Sequence, residues 1–129
     1  FNTGYDGMVM ISHLYHSDWG GEKELPASLS PIAIKTMLRD ELGFDGLVIT
    51  DDLQMRGITS RIKLDEAIIM ALLAGNDIVL IGNVLASSPS NADFAINAIE
   101  RGVKEKRLNF LDLYRSWQRV VRYKKTLHR

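Results

Sequence analysis

Three short runs of consecutive apolar residues set the rhythm of the chain. Met8-Val9-Met10-Ile11 closes on Ser12-His13, Leu47-Val48-Ile49 closes on Thr50-Asp51-Asp52, and Ile78-Val79-Leu80-Ile81 closes on Gly82-Asn83. Runs this short that are apolar at successive rather than alternate positions read as strands covered on both faces. Between them the period changes. Ile34, Met37, Leu38 and Leu42 recur at helical spacing. Ser30 before them suits a helix cap, Pro31 suits the first helical position, and Gly43 suits the helix end. Ala67, Ile68, Ala71, Leu72 and Ala74 give a second helix that opens at Asp65 and ends at Gly75. A third helix is expected over about 91–101, stopped by Gly102. A fourth is expected over about 109–127, with Phe110, Leu113, Trp117, Val120 and Val121 as its apolar stripe. Residues 16–25, 56–63 and 87–90 read as loops. Strand and helix alternate at a roughly regular interval, which predicts an α/β fold of βαβ units with a parallel sheet. Three parallel strands leave both edges unpaired, so the chain reads as part of a larger sheet or barrel.

Composition narrows this only slightly. The chain has 129 residues, 46% hydrophobic and 25% charged, one domain's worth at most and of ordinary globular composition. Its formal net charge is zero, which argues against a nucleic-acid partner and against an anionic membrane surface. Arg101, Lys104, Lys106, Arg107, Arg115, Arg119, Arg122, Lys124 and Lys125 make the C-terminal part locally basic, and a solvated helix face accounts for them. Without cysteine there is neither a disulfide framework nor a thiolate metal site. No apolar run reaches membrane-spanning length and no signal peptide is visible. The first residue is Phe1, so the chain is expected to be a fragment or a processed product.

The candidate chemistry gathers where the apolar runs stop. His13, Asp51 and Asn83 each fall just past a strand, and α/β folds place their sites at the C-terminal strand ends. Neighbours in a strand point to opposite faces, so only one of Asp51 and Asp52 can face such a site. The plainer reading makes the pair a turn cap. His13 could equally be a satisfied histidine at a strand end, and Met55 plain core. His16 and His128 read as surface residues.

The stretch Gly43-Phe44-Asp45-Gly46-Leu47-Val48-Ile49-Thr50-Asp51-Asp52-Leu53-Gln54-Met55 resembles the signature of glycoside hydrolase family 3. It is most similar to the bacterial β-N-acetylglucosaminidase (β-N-acetylhexosaminidase) branch of peptidoglycan recycling. Met8-Val9-Met10-Ile11-Ser12-His13, Pro26-Ala27-Ser28-Leu29-Ser30-Pro31, Leu38-Arg39-Asp40-Glu41-Leu42 and Ala74-Gly75-Asn76-Asp77-Ile78-Val79-Leu80 resemble further stretches of that family. The resemblance covers the whole chain. It implies a (β/α)8 TIM barrel, of which this chain would be the last three βα units, a half-barrel. It also implies a retaining mechanism in which Asp51 is the nucleophile. Asp52 would then be structural, hydrogen-bonding loop amides. His13 would line the sugar pocket, and Met55 would pack on the sugar ring or its acetyl group. No metal and no organic cofactor are implied. The partner it implies is a carbohydrate substrate, and the expected compartment is the bacterial cytoplasm, with the periplasm or secretion as the alternatives.

The acid/base of that branch resembles a His with an Asp partner, on a loop after a Lys-His-Phe-Pro-Gly-His-Gly segment. These 129 residues contain no such segment, so the fragment alone is expected to be inactive. Met8, Val9, Val48 and Val79 are expected to face the barrel interior. Without the opposite wall, the fragment is expected to associate with itself or with the missing half-barrel. Two rival readings stand beside this one. One is a receiver-like α/β domain binding Mg²⁺ at its acidic strand end. The other is a non-enzymatic α/β interaction module in which Asp51 is only a cap.

Overall fold

The computed structural model describes residues 7–21, 23–82 and 91–127. Three strands, β1 (Met8–Ile11), β2 (Leu47–Asp52) and β3 (Ile78–Leu80), form a parallel sheet in the order β1-β2-β3. The first pair is regular from Met8↔Leu47 to Ile11↔Thr50. The second pairs Ile49 with Ile78 and Asp52 with Leu80, so β2 spends one extra residue between those points. Two features repair this shift: the Leu80 N–H donates to Thr50 Oγ1 at 2.9 Å, and the Leu53 N–H donates to Leu80 O at 3.0 Å. A bulge bends a strand and re-aims its side chains, and this one lies at the two carboxylates.

Helices cover one side of the sheet. A short helix α1 (Ser17–Gly20) and a 3₁₀ turn (Ala27–Leu29) lead into a π-helix, Ile32–Glu41. The Ser30 hydroxyl accepts from the Ala33 N–H at 3.2 Å and donates to Trp19 O, so the expected cap is in place. The winding differs from the expected α-helix: the Leu42 N–H reaches back five residues to Met37 O at 3.0 Å. Ile34 and Leu38, four apart, remain on the buried face, whereas Leu42 lies past the helix end and is 46% exposed. Gly43 takes the left-handed conformation that ends a helix, with φ 65°. α2 (Arg56–Thr59) is a single turn within the stretch read as loop, and α3 (Leu64–Ala74) ends at Gly75 as expected, with φ 109°.

Two further helices follow. α4 (Asn91–Lys104) runs straight through Gly102 instead of stopping there. That glycine is buried because α4 is closely approached at this point. A Cβ added to it would stand 2.9 Å from Leu108 Cδ1 and 3.4 Å from Ile69 Cδ1. The chain turns instead at Lys106, with φ 57°. α5 (Phe110–Thr126) opens at Asn109, whose side chain accepts from the Leu111 N–H at 2.9 Å. Its expected apolar stripe is present but largely uncovered: Phe110 is 71% and Trp117 56% exposed. Polar contacts hold α5 to the body instead, from Ser116 and Arg119 to Asp77 and from Arg119 and Arg122 to Asp45.

The core lies between sheet and helices. Ile34, Leu38, Phe44, Val48 and Ala74 form one buried cluster, against which Val9 and Ile11 pack. Leu29, Leu53, Ile58, Ala67, Ile68, Ala71 and Ala98 form the other, joined by Val79. This corrects the expected facing of the strands. Val9, Val48 and Val79 look toward the helices, not toward a barrel interior. Met10, one residue from Val9, lies on the opposite face and is 56% exposed. Among the described residues no helix is long and apolar enough to cross a membrane.

Candidate active site

The three strand ends meet at Asp52. Strand alternation places Val48 and Thr50 on the helix side and Ile49 on the open side, and Asp51 and Asp52 follow at the bulge. The Asp51 carboxylate is half-buried, and its Oδ1 accepts from the Asp52 N–H at 2.8 Å. Its other oxygen has no hydrogen bond among the described residues. The Asp52 carboxylate is engaged differently. Its Oδ1 accepts from the Gln54 N–H and from the Gly82 N–H, both at 2.9 Å. Gly82 follows β3, so the Asp52 side chain ties the end of β2 to the end of β3. The fit is close: a Cβ on Gly82 would stand 2.2 Å from Asp52 Oδ2.

His13 ties β1 to the same residue. Its Nε2 lies 2.8 Å from the Asp52 carbonyl oxygen, and its Nδ1 lies 2.7 Å from Ser28 Oγ. Ser28 is fully buried in the 3₁₀ turn and is held in turn by Asn76, whose Nδ2 donates to Ser28 O at 2.8 Å and to Ala71 O at 2.7 Å. The structure therefore brings Asp51, Asp52 and His13 together, by way of the backbone of Asp52. Met55 follows on the β2–α2 turn, 45% exposed, with its N–H donating to Asp52 O. Asn83 and His128 lie outside the described residues. His16 is an exposed residue that accepts from the Asp18 N–H at 3.2 Å.

Sequence reasoning left Ser28, Asn76 and Gly82 without a role. The first two sit in stretches that carry the family resemblance, and burial of a Ser and an Asn is itself a signal of a hydrogen-bonding duty. Nothing in the order of residues pointed to Gly82 as the donor to Asp52. A concavity of about 580 Å³ opens nearby, between loop 23–26 and residues 57–70, and its lining includes Gly57, Arg61 and Lys63 but not Asp51. Among the described residues no three acidic or histidine side chains converge as a metal site would require.

The model of the glycosyl hydrolase family 3 N-terminal domain matches residues 4–123. A beta-hexosaminidase of Vibrio cholerae serotype O1 (strain M66-2) is 31% identical over an alignment of 118 residues that covers 87% of this chain and 35% of that protein. The structure of a glycoside hydrolase family 3 beta-N-acetylglucosaminidase from Paenibacillus sp. str. FPU-7 superposes with a TM-score of 0.82 at 31% identity, over 96% of this chain and 22% of that one. The beta-N-acetylglucosaminidase from Thermotoga maritima superposes with a TM-score of 0.79 at 28% identity, over 90% of this chain and 24% of that one. The chain thus spans between 22% and 35% of the length of these three relatives. Its parallel strands and covering helices are the α/β arrangement of that barrel-like domain. With the signature stretch, the strand-end carboxylates and the family match all falling on the same residues, the chain belongs to glycosyl hydrolase family 3, within its N-terminal domain.

Proposed function

We propose that this chain is the nucleophile-bearing part of a retaining exo-glycosidase that releases terminal β-linked N-acetylglucosamine from peptidoglycan- or chitin-type sugars in the bacterial cytoplasm. In this reading it forms the last three βα units of a (β/α)8 barrel. The observation that carries the proposal is the state of the two carboxylates. Each carboxylate keeps one oxygen without a partner among the described residues, but Asp52 Oδ1 is committed to two backbone N–H groups, one of them from Gly82 beyond β3, whereas Asp51 accepts only from its neighbour's N–H.

In the proposed reaction an oxygen of the Asp51 carboxylate attacks the anomeric carbon. The bond from that carbon to the aglycone oxygen breaks, and the leaving oxygen takes a proton from the general acid. The resulting glycosyl ester on Asp51 is cleaved by water, which gives its proton to the same group, now acting as base. That acid/base is proposed to be a His with an Asp partner on a loop outside these 129 residues, so the stretch alone is inactive. Met55, exposed on the turn after β2, offers an apolar surface to the sugar ring or its acetyl group. His13 completes the site beside it. The chemistry calls for no metal and no organic cofactor.

The receiver-like alternative needs further acidic groups and a lysine at neighbouring strand ends. β1 is followed by Ser12-His13 and β3 by Ile81-Gly82, which offer neither. In the non-enzymatic alternative Asp51 is only a cap.

The deciding experiment is Asp51→Asn in the full-length protein that carries these residues, assayed with a β-N-acetylglucosaminide. The amide can still accept from the Asp52 N–H but cannot form the ester. Turnover should fall roughly 10³-fold or more, with the fold retained. Near wild-type rates would remove Asp51 from the mechanism and, with it, the proposal.

A further inference from the structure

We infer that His13 is a positioning residue for Asp51, acting through the backbone of Asp52 and not through contact with the sugar. The inference rests on the nucleophilic role of Asp51 proposed above. The last regular pair between β1 and β2 is Ile11↔Thr50, and the β2–β3 register shifts between Ile49 and Asp52. Asp51 and Asp52 therefore sit where regular strand pairing no longer fixes the backbone. Four other groups fix it instead. His13 and the Met55 N–H hold the Asp52 carbonyl, and the Gly82 and Gln54 N–H groups hold the Asp52 carboxylate. With its carbonyl and its side chain both anchored, Asp52 has its N–H direction set, and that N–H is the one bonded to Asp51 Oδ1.

The imidazole is itself held. A carbonyl oxygen can only accept, so His13 Nε2 carries the proton toward Asp52. In the neutral ring Nδ1 is then an acceptor, and the Ser28 hydroxyl donates to it at 2.7 Å. Ser28 is buried and anchored through its carbonyl by Asn76, which is 1% exposed. Both ring nitrogens are thereby engaged within the chain, and neither is left to bond a sugar hydroxyl. The line Asn76–Ser28–His13–Asp52 joins the start of β3, the 3₁₀ turn and the end of β1 to the nucleophile's neighbour. A reacting group displaced by a fraction of an ångström loses rate without losing substrate affinity.

The test uses the full-length protein that carries these residues and four forms of it: wild type, His13→Ala, His13→Gln and Ser28→Ala. kcat and KM are measured with a β-N-acetylglucosaminide, the Kd of free N-acetylglucosamine by calorimetry, and the His13 tautomer by ¹⁵N NMR. His13→Ala should lower kcat about 10- to 100-fold, with KM and the sugar Kd within about twofold of wild type. His13→Gln, whose amide can still donate to the Asp52 carbonyl, should recover part of that loss. Ser28→Ala should lie between wild type and His13→Ala, and the wild-type ring should be protonated at Nε2. Should His13→Ala not fold, the Gln and Ser28 variants decide. A raised KM or sugar Kd with kcat unchanged would make His13 a sugar ligand and overturn the inference. So would unaltered kinetics in the folded variants, or a ring protonated at Nδ1 alone. Turnover retained in Asp51→Asn sinks the proposed function instead. Turnover lost there but kept in the His13 and Ser28 variants sinks this inference alone.

Discussion

Asp77 offers the sharpest test of how the scaffold is held. Its carboxylate is fully buried at the entry to β3. Oδ2 accepts from Arg39 Nη2 at 2.7 Å and from the Val48 N–H at 3.0 Å, while Oδ1 accepts from Ser116 Oγ at 2.8 Å and from Arg119 Nη1 at 3.1 Å. Its own N–H donates to Val48 O at 2.8 Å. One side chain thus joins β2, the π-helix and α5. Asp77→Ala removes all four side-chain bonds and leaves two arginines, with side chains only 13% and 25% exposed, facing a void. Burial already holds the Arg39 guanidinium below its usual pKa, against the pull of Asp77. Removing one member of a buried pair costs about 3–5 kcal/mol. The lower end applies here, because Arg39 keeps the carbonyls of Phe44 and Gly46 and Arg119 keeps Asp45. At about 2.1 cal/mol/K per residue, a loss of about 3 kcal/mol lowers Tm by about 11 °C in a chain of this length. Asp45→Ala is the control, since it pairs with Arg119 and Arg122 but is 68% exposed. An exposed pair is worth at most about 1 kcal/mol, or under about 4 °C. Thermal and urea unfolding followed by circular dichroism would separate the two. If Asp77→Ala proved no worse than Asp45→Ala, the argument from burial would be refuted.

Two other outcomes are expected. The Arg101 hydrogen bond holds the Asp65 carboxyl below its usual pKa, and the Arg107 hydrogen bond does the same for Glu66. Carboxyls with lowered folded-state pKa values stabilise fully above their unfolded values and lose that contribution as pH falls through the folded ones. The α3–α4 clamp should therefore weaken below about pH 4. Urea midpoints between pH 6 and 3 would show it, with a shallower fall in Glu66→Gln, and a flat profile would contradict it. The second concerns the 129-residue chain alone, where β1 and β3 each have one strand neighbour among the described residues and Met10 is exposed on the open face. Light scattering should find it self-associated or bound to an added first half of the barrel. A monodisperse monomer at high micromolar concentration would overturn that expectation.

The elements were legible because each rested on a local signal. Ser30, Asn109, Gly43 and Gly75 cap or end helices as their chemistry suggests. What failed needed a relation between distant residues. Gly102 carries the same letter whether it ends a helix or admits Leu108 against Ile69, and only the packing tells which. A continuous apolar run such as Met8-Val9-Met10-Ile11 contains no alternation from which to read its faces. The run therefore leaves open that Val9, Val48 and Val79 face the helices and not a barrel interior. The bulge in β2 is a property of its register against β3, and no residue within β2 announces it.

The site divides in the same way. Two carboxylates at a strand end could be read from the order of residues, and the family resemblance chose between them. The physical difference between them could not be read so, because it depends on donors brought from elsewhere. Gly82 lies 30 residues from Asp52, and Ser28 lies 15 residues from His13. Hydrogen bonds to a carboxylate stabilise its charge and lower its readiness to share electrons with a carbon centre. Asp52 accepts two from backbone N–H groups, one closing the turn after β2 and the other, from Gly82, fastening β2 to the end of β3, so its charge serves the scaffold. Asp51 accepts one, from the N–H of its neighbour, which is enough to orient it and ties it to no other strand. Adjacent and chemically identical, the two acids are set apart by the peptide groups that reach them. The variants that disturb those groups without touching either acid are therefore the ones that expose the division of labour.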